Sequence, residues 1–240
     1  MGSVMENYPV GYTVLKTEDP RTRRSVMIDV WYPASQKSRE TPCSYGLGRG
    51  RHAGHAPPAD GLHPVIVISY GAFGAARNYS WIAEHLGRNG YLVAGVSHFR
   101  ESQVYGPETI DPDSVLQPWI RPPDCSAALD HILGSSEFAT ICDPLRIGAL
   151  GHSSGGATII ALGGAVFDPG AMHQYCVVDA SGSDRGCGYA KNGTTVQAGD
   201  PATSRQFRDK RIRAIVALDP ALGPGYNAAS LAAVTIPPAL

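Results

Sequence analysis

The sequence predicts a single α/β domain, residues 1–240, built on a mainly parallel, doubly wound sheet. Short apolar runs typical of strands alternate with segments of helical periodicity. The run at residues 65–68 contains only Val and Ile, which is typical of a strand buried on both faces of a parallel sheet. Glycine and proline, 28 and 19 of the 240 residues, separate these runs as turn residues do.

The individual elements follow from the positions of these runs. The predicted strands are residues 12–15, 26–32, 65–68, 91–96, 146–150 and 212–218. The predicted helices are residues 78–88, 125–133 and 157–162. Pro33 ends the second strand, and Gly90 follows the first helix as a stop signal. Strands that alternate with helices in this way imply crossover connections between parallel neighbours.

Two long segments lack periodicity. Residues 34–62 are predicted to form a polar connection rich in Gly and Pro. Residues 167–209 are too many for an ordinary connection, so we expect either a long excursion over the active-site face or a partly disordered stretch.

The composition argues against several classes of protein. Lys and Arg total 20 and Asp and Glu total 21, so the formal net charge is −1, which argues against nucleic-acid binding. No apolar run reaches the roughly 18 residues that span a bilayer, so we expect no stable membrane insertion. The absence of a visible signal peptide favours a cytoplasmic location, and a removed one would leave a secreted or periplasmic location open. A homo-oligomer also stays open.

The five cysteines show no paired spacing, so neither zinc nor another cofactor is predicted. His52 and His55 lie three residues apart but have no evident third ligand in the sequence. Cys176 and Cys187 bracket a Gly- and Ser-rich stretch, where a disulfide and two free thiols are equally good interpretations.

The strongest functional signal is the segment Gly151-His152-Ser153-Ser154-Gly155. It follows the predicted strand 146–150 and leads into the predicted helix 157–162. A G-x-S-x-G pattern between a strand and a helix is typical of a nucleophile elbow, which presents the serine hydroxyl above the carboxyl edge of the sheet. We therefore predict that Ser153 is a catalytic nucleophile; the alternative is a chance match in a Gly-rich protein.

Two backbone N–H groups are candidates for binding the substrate carbonyl oxygen. Ser154 follows the nucleophile, so its N–H can point at a developing oxyanion. Ala72 lies in the small-residue turn after the strand 65–68, where this arrangement needs its second donor. An ordinary turn is the alternative for Ala72.

Asp219 follows the strand 212–218 and is the candidate acid. The carboxyl ends of parallel strands share one edge of a sheet, so Asp219 is expected at the same edge as Ser153. There it could orient an imidazole and stabilise its charged form. The alternative is a turn aspartate before Pro220.

The catalytic base is missing from this pattern. In G-x-S-x-G hydrolases of this kind, the triad runs Ser, then Asp or Glu, then His, and no histidine follows Asp219. The side chain of His152 is expected to point away from Ser153. His98 ends a predicted strand near the functional edge, and a packed or capping role is favoured over substrate contact.

Several of these motifs together resemble a known family. They are Asp29-Val30-Trp31-Tyr32-Pro33, Gly90-Tyr91-Leu92-Val93-Ala94, Gly151-His152-Ser153-Ser154-Gly155-Gly156 and Ala217-Leu218-Asp219-Pro220. The chain resembles, over nearly its whole length, the predicted dienelactone-hydrolase group of bacterial α/β-hydrolases, which is related to the platelet-activating-factor acetylhydrolases. One departure is Tyr70-Gly71, where that family usually has His-Gly.

The resemblance implies the α/β-hydrolase fold and a serine hydrolase that cleaves a small-molecule carboxylic ester, either a short acyl ester or a lactone, through an acyl-enzyme on Ser153. In the acetylhydrolase branch the acid position matches Asp219. The family's last strands and its histidine would follow Leu240, so we expect a chain truncated at its C-terminus, with another strand starting at Thr235. The alternative function is a catalytically inactive binding protein, or a fragment lacking the catalytic histidine.

Overall fold

The computed structural model describes residues 7–46, 48–179, 187 and 205–236. Its centre is an eight-stranded sheet in the order β3-β4-β1-β2-β6-β5-β7-β8. The strands are β1 (Val10–Glu18), β2 (Ser25–Pro33), β3 (Thr41–Ser44), β4 (Arg49–Gly54), β5 (His63–Ser69), β6 (Leu92–His98), β7 (Cys142–His152) and β8 (Ile212–Leu218). The helices are α1 (Ser80–Arg88), α2 (Arg121–Gly134), α3 (Ser154–Gly163), α4 (Pro169–Gln174) and α5 (Ala228–Ala232).

The sheet divides into two halves of different character. Strands β6, β5, β7 and β8 are neighbours and run parallel to one another. The N-terminal half is joined by antiparallel pairing of β2 with both β1 and β6. All the parallel strands therefore end at one edge of the sheet, as predicted from the alternation of strands and helices.

Side chains alternate between two apolar layers along the central strands, because successive residues of a strand point to opposite faces. In β2, the side chains of Ile28 and Val30 join a core with helices α2 and α3. Trp31, the residue after Val30, packs on the other face with Ala83 of α1. The middle of the sheet is thus buried on both faces, which explains why the middle of β5, residues 65–68, is a continuous run of apolar residues.

The segment 34–62 is not the featureless connection that the sequence predicts. It contains the antiparallel hairpin of β3 and β4, with Cys43 opposite Gly50. Strand β4 also pairs in parallel with β1. The sequence of the hairpin is polar and has no clean alternation, so its pairing depends on tertiary contacts with β1 and α1 rather than on local pattern.

The described part of the segment 167–209 forms α4 and a π-helical turn, Tyr175–Asp179. Cys176 and Cys187 form a disulfide. Phe167 and Met172 pack in an apolar cluster with Leu222 and other residues that follow β8 or belong to α3. Residues 180–186 and 188–204 lie outside the described residues, so the predicted excursion over the active-site face stays a prediction.

The C-terminal residues differ from the expectation at one point. A predicted strand begins at Thr235, but residues 234–236 adopt no strand, and residues 237–240 lie outside the described part. Before them, α5 is capped by the Asn227 side chain, which accepts a hydrogen bond from the Ser230 N–H. None of the described helices is long and apolar enough to cross a bilayer.

Candidate active site

Ser153 lies at the turn between β7 and α3 in a backbone conformation that non-glycine residues rarely adopt. Its φ is 54° and its ψ is −122°. Its N–H donates to the carbonyl oxygen of Leu218 at 3.0 Å, and its own carbonyl oxygen accepts from Ala157 and Ala221. These bonds hold the residue in a conformation that costs of order 1–3 kcal/mol, which is the kind of strain that concentrates at functional sites.

The glycines around Ser153 have no room for a side chain. A Cβ on Gly151 would lie 2.2 Å from the carbonyl oxygen of Gly155. A Cβ on Gly155 would lie 2.0 Å from the carbonyl oxygen of Ser69, at the end of the neighbouring strand β5. The obstacles are backbone atoms of the sheet and turn, so the elbow requires glycine for close packing of α3 on the sheet.

A cavity of about 570 Å³ opens beside Ser153. Its lining includes Ala72, Tyr79, Trp81, His152 and Ser153. The turn after β5 forms one wall, and a Cβ on Gly71 would lie 3.3 Å from the Cβ of Ser153. The structure therefore brings the predicted donor Ala72 and the predicted nucleophile to one cavity, of a size typical of small-molecule sites. Ser154, the other predicted donor, is buried as the first residue of α3.

A fully buried ion pair supports the turn after β5. The Arg121 guanidinium pairs with the Glu101 carboxylate, and Arg121 Nη1 donates to the carbonyl oxygen of Tyr70 at 2.6 Å. The guanidinium also lies 5.1 Å from the centroid of the Tyr70 ring. Burial disfavours the charge on Arg121, but Glu101 outweighs that effect and raises the pKa of the guanidinium.

A buried hydrogen-bond chain lies at the same edge of the sheet. Ser69 Oγ is 3.0 Å from His98 Nε2, and His98 Nδ1 is 2.9 Å from Asp124 Oδ2. Arg24 also donates to the Asp124 carboxylate. Ser69, His98 and Asp124 are fully buried, so this Ser-His-Asp arrangement holds the ends of β5 and β6 against α2. The expectation that His98 is packed is confirmed.

Asp219 lies directly beyond the last residue of β8, and that residue, Leu218, pairs with His152. The carboxylate is thus at the same sheet edge as Ser153, as predicted. Asp219 has a positive φ of 43°, and it is exposed. Within the described ranges, its carboxylate makes no hydrogen bond or ion pair with a histidine or with any other residue.

His152 is the histidine that lines the cavity among the described residues. Its Nδ1 lies 2.8 Å from the Tyr79 hydroxyl. Burial raises the pKa of Tyr79, so the phenol stays protonated and can donate to this nitrogen. The sequence predicts that the His152 ring points away from Ser153. It gives no sign that the ring lines the same cavity as Ser153.

Comparisons with known proteins bear on the fold of the chain. No protein-family profile matches the chain. A bis(hydroxyethyl) terephthalate hydrolase of Streptomyces coelicolor is 28% identical over 126 residues, which is 52% of this chain and 36% of that protein. A ferulic acid esterase from Streptomyces cinnamoneus superposes with a TM-score of 0.51 and 24% identity, over 67% of this chain and 56% of the esterase.

A bacterial heroin esterase superposes less closely, with a TM-score of 0.42 and 23% identity over 66% of this chain and 40% of that chain. The chain thus matches about a third of the length of its curated relative and slightly more than half of the ferulic acid esterase. The parallel sheet, its flanking helices and the likeness to the ferulic acid esterase identify the α/β-hydrolase fold.

Proposed function

We propose that this protein is a serine hydrolase that cleaves carboxylic esters, with Ser153 as the nucleophile. The observation that carries the proposal is the backbone of Ser153, whose φ of 54° at the β7–α3 turn sets it in the wall of a cavity. Strained conformations of this kind persist where the surrounding structure enforces them, and they cluster at active sites. A buried structural serine would need neither the strain nor the cavity.

The proposed reaction is acyl transfer in two steps. Ser153 Oγ attacks the ester carbonyl carbon, and its proton passes to a general base. The C–O bond to the alcohol then breaks, the alcohol leaves with a proton, and the acyl group remains on Ser153. Water attacks the acyl-enzyme in the second step, which releases the carboxylic acid and restores the serine hydroxyl. The N–H groups of Ala72 and Ser154 would stabilise the oxyanion in both steps.

Asp219 is the proposed acid that orients the base. Its position one residue beyond β8 supports this role, because β8 is the hydrogen-bonded neighbour of the strand that carries Ser153. All eight histidines of the sequence belong to the described part, and none of them forms a hydrogen bond or ion pair with Asp219. His152 lines the cavity, but Tyr79 engages its Nδ1.

The missing partner of Asp219 also favours a second candidate function, which is ligand binding without turnover. Its supporting observation is the exposed Asp219, which has no histidine partner within the described residues. A cavity with an elbow serine but no base would bind esters or acids and leave them intact.

The substrate class proposed here is a small ester, either a short acyl ester or a lactone. The curated relative is named for hydrolysis of bis(hydroxyethyl) terephthalate, a small diester, which supports ester chemistry on this scaffold. The motifs ending in Trp31-Tyr32-Pro33 and in Asp219-Pro220 support the finer assignment to esterases like the dienelactone hydrolases and the platelet-activating-factor acetylhydrolases.

The test is hydrolysis of p-nitrophenyl acetate and of bis(hydroxyethyl) terephthalate by the purified protein and by its Ser153→Ala variant. The proposal predicts product release that the variant loses. Equal turnover by both proteins would refute Ser153 as nucleophile. Saturable binding of the diester by a folded protein that releases no product would favour the second candidate.

A further inference from the structure

A polar cluster between helix α1 and the hairpin of β3 and β4 has no part in the proposed reaction. It contains Cys43 of β3, His52 of β4 and Glu84 of α1, and their ligand atoms all lie within 4.8 Å of one another. We propose that these three side chains form a binding site for one zinc-like divalent cation. The proposal is independent of the ester hydrolysis proposed for Ser153.

The register of the hairpin places two of the ligands on one face. Cys43 pairs with Gly50, and Thr41 pairs with His52. Residues two apart in a strand share a face, so Cys43 and His52 are diagonal neighbours on the same side of the hairpin. Cys43 is in the thiol form, free of any disulfide.

The third ligand reaches the hairpin through a gap left by Gly50. A Cβ at this glycine would lie 2.0 Å from Glu84 Oε1, so a side chain there would push the carboxylate aside. The backbone N–H of Arg51 donates to the same oxygen at 3.0 Å, which fixes the carboxylate against the hairpin. Oε2 makes a long contact to Arg88, at 3.7 Å, and the Tyr45 hydroxyl also interacts with the carboxylate.

The environment of His52 suits a metal ligand. His52 Nδ1 lies 2.7 Å from the Tyr45 hydroxyl, which also accepts a hydrogen bond from the Trp31 indole N–H. An Nδ1–H that donates to Tyr45 leaves the lone pair of Nε2 free, as is usual for metal-binding histidines. The ring also packs against Tyr12, with centroids 4.6 Å apart, which restricts its rotation.

The charges of the cluster balance those of a divalent cation. A Cys43 thiolate and the Glu84 carboxylate would supply two negative charges and His52 a neutral nitrogen. Sulfur, nitrogen and oxygen ligands together are characteristic of zinc, and in a tetrahedral zinc site they lie about 3.5 Å apart, so the cluster needs to contract by only about 1 Å.

The test is titration of the metal-stripped protein with Zn²⁺ by calorimetry, together with Co²⁺ as a spectroscopic probe. The proposal predicts one equivalent of Zn²⁺, a raised Tm, and a thiolate-to-cobalt charge-transfer band. Cys43→Ser is expected to abolish that band. Cys43→Ser and His52→Gln are each expected to weaken Zn²⁺ binding by at least about 100-fold. Mutation of a group that only hydrogen-bonds to a ligand already lowers metal affinity by about 10–100-fold, and these changes remove the ligand itself.

The matched control is His85→Gln, which removes an exposed histidine next to Glu84 on the same helix and is expected to leave binding unchanged. Circular dichroism checks that each variant is folded. Cys43 and His52 are only partly buried, so both variants are expected to fold even if Glu84→Gln does not. Folded wild-type protein that binds no Zn²⁺, or binding that persists unchanged in Cys43→Ser and His52→Gln, would overturn the proposal.

Discussion

Arg121 donates a hydrogen bond to the carbonyl oxygen of Tyr70 at 2.6 Å, so a buried cation holds the turn that contains Ala72. The guanidinium and its partner Glu101 are both almost fully buried. The turn is one wall of the cavity beside Ser153, and the position of its backbone N–H groups decides whether an oxyanion could be bound there.

We predict that Arg121→Met lowers the free energy of unfolding by about 3–5 kcal/mol, because it leaves the Glu101 carboxylate buried without its partner. Urea denaturation measures this loss. The control is Arg146→Met, which removes a surface ion pair with Asp143 and should cost far less, because water screens such pairs. Similar losses of unfolding free energy in the two variants would contradict the claim that the buried Arg121–Glu101 pair matters more for stability than a surface pair.

Replacement of Gly155 by alanine is expected to destabilise the elbow. The new Cβ would meet the carbonyl oxygen of Ser69 at 2.0 Å, and backbone of the central sheet cannot move aside cheaply. Overpacking of this kind costs about 1–3 kcal/mol or more.

Gly134→Ala is the matched control, because nothing lies within 4 Å of a Cβ at that position. Gly134 ends α2, so alanine there should be neutral or stabilising by up to about 1 kcal/mol. Thermal unfolding of both variants checks the contrast. A Gly155→Ala protein as stable as Gly134→Ala would show that the turn is looser than described.

Stability is expected to fall as the pH drops below 6.5 because of His98. Burial lowers the pKa of His98 from its ordinary value of 6.5, although Asp124 and Glu101 act in the opposite direction and Arg121 adds to the lowering. Below pH 6.5 the unfolded chain therefore binds a proton that the folded chain does not, and folding becomes less favourable. This group can contribute at most about 1.4 kcal/mol per pH unit.

The measurement is urea denaturation of the wild type and of His98→Gln between about pH 7.5 and about pH 5. This range brackets the ordinary histidine pKa of about 6.5. The variant should be less stable at neutral pH but should lose less stability on acidification. His85→Gln, which changes an exposed histidine, should keep the wild-type slope. An unchanged slope in His98→Gln would exclude His98 as the cause.

The outer edge of β8 is expected to promote self-association. Among the described strands, β8 has a neighbour only in β7, and Val216 and Leu218 are 49% and 44% exposed. An exposed apolar edge strand can pair with another chain. Val216→Lys should therefore reduce the aggregated fraction in light scattering, whereas Leu145→Lys, at an exposed site outside this edge, should not. A monodisperse wild-type monomer would contradict this prediction.

Much of the parallel half of the sheet could be predicted from the sequence. The run at residues 212–218 coincides with β8, and the strand before Ser153 and the helix after it are both present, although longer than predicted. These elements carry strong local signals, because runs of apolar and β-branched residues indicate strands and the elbow is bounded by glycines.

Other features could not be predicted, because they depend on contacts between distant residues. The Ser69–His98–Asp124 chain joins three elements that have no common motif. The cluster of Cys43, His52 and Glu84 likewise joins a hairpin to a helix, and the hairpin itself lies in a segment without periodicity. Sequence spacing alone therefore does not indicate that Cys43 and Glu84 lie beside His52.

Asp219 is expected to matter only if a histidine reaches it. In an active protein, Asp219→Asn should lower kcat by several orders of magnitude, judging from a fall of about 10⁴ for the corresponding change in a serine protease triad. Steady-state hydrolysis of p-nitrophenyl acetate checks this. A nearly silent Asp219→Asn change would mean that another residue is the acid.

The most direct test of the central claim is intact-mass analysis after reaction with a fluorophosphonate probe. Such probes modify activated serines, so the result depends on the nucleophile and not on the choice of ester. We predict one adduct on the folded wild-type protein and none on Ser153→Ala. A folded wild-type protein without an adduct, or an adduct that persists in Ser153→Ala, would contradict the assignment of Ser153 as the nucleophile.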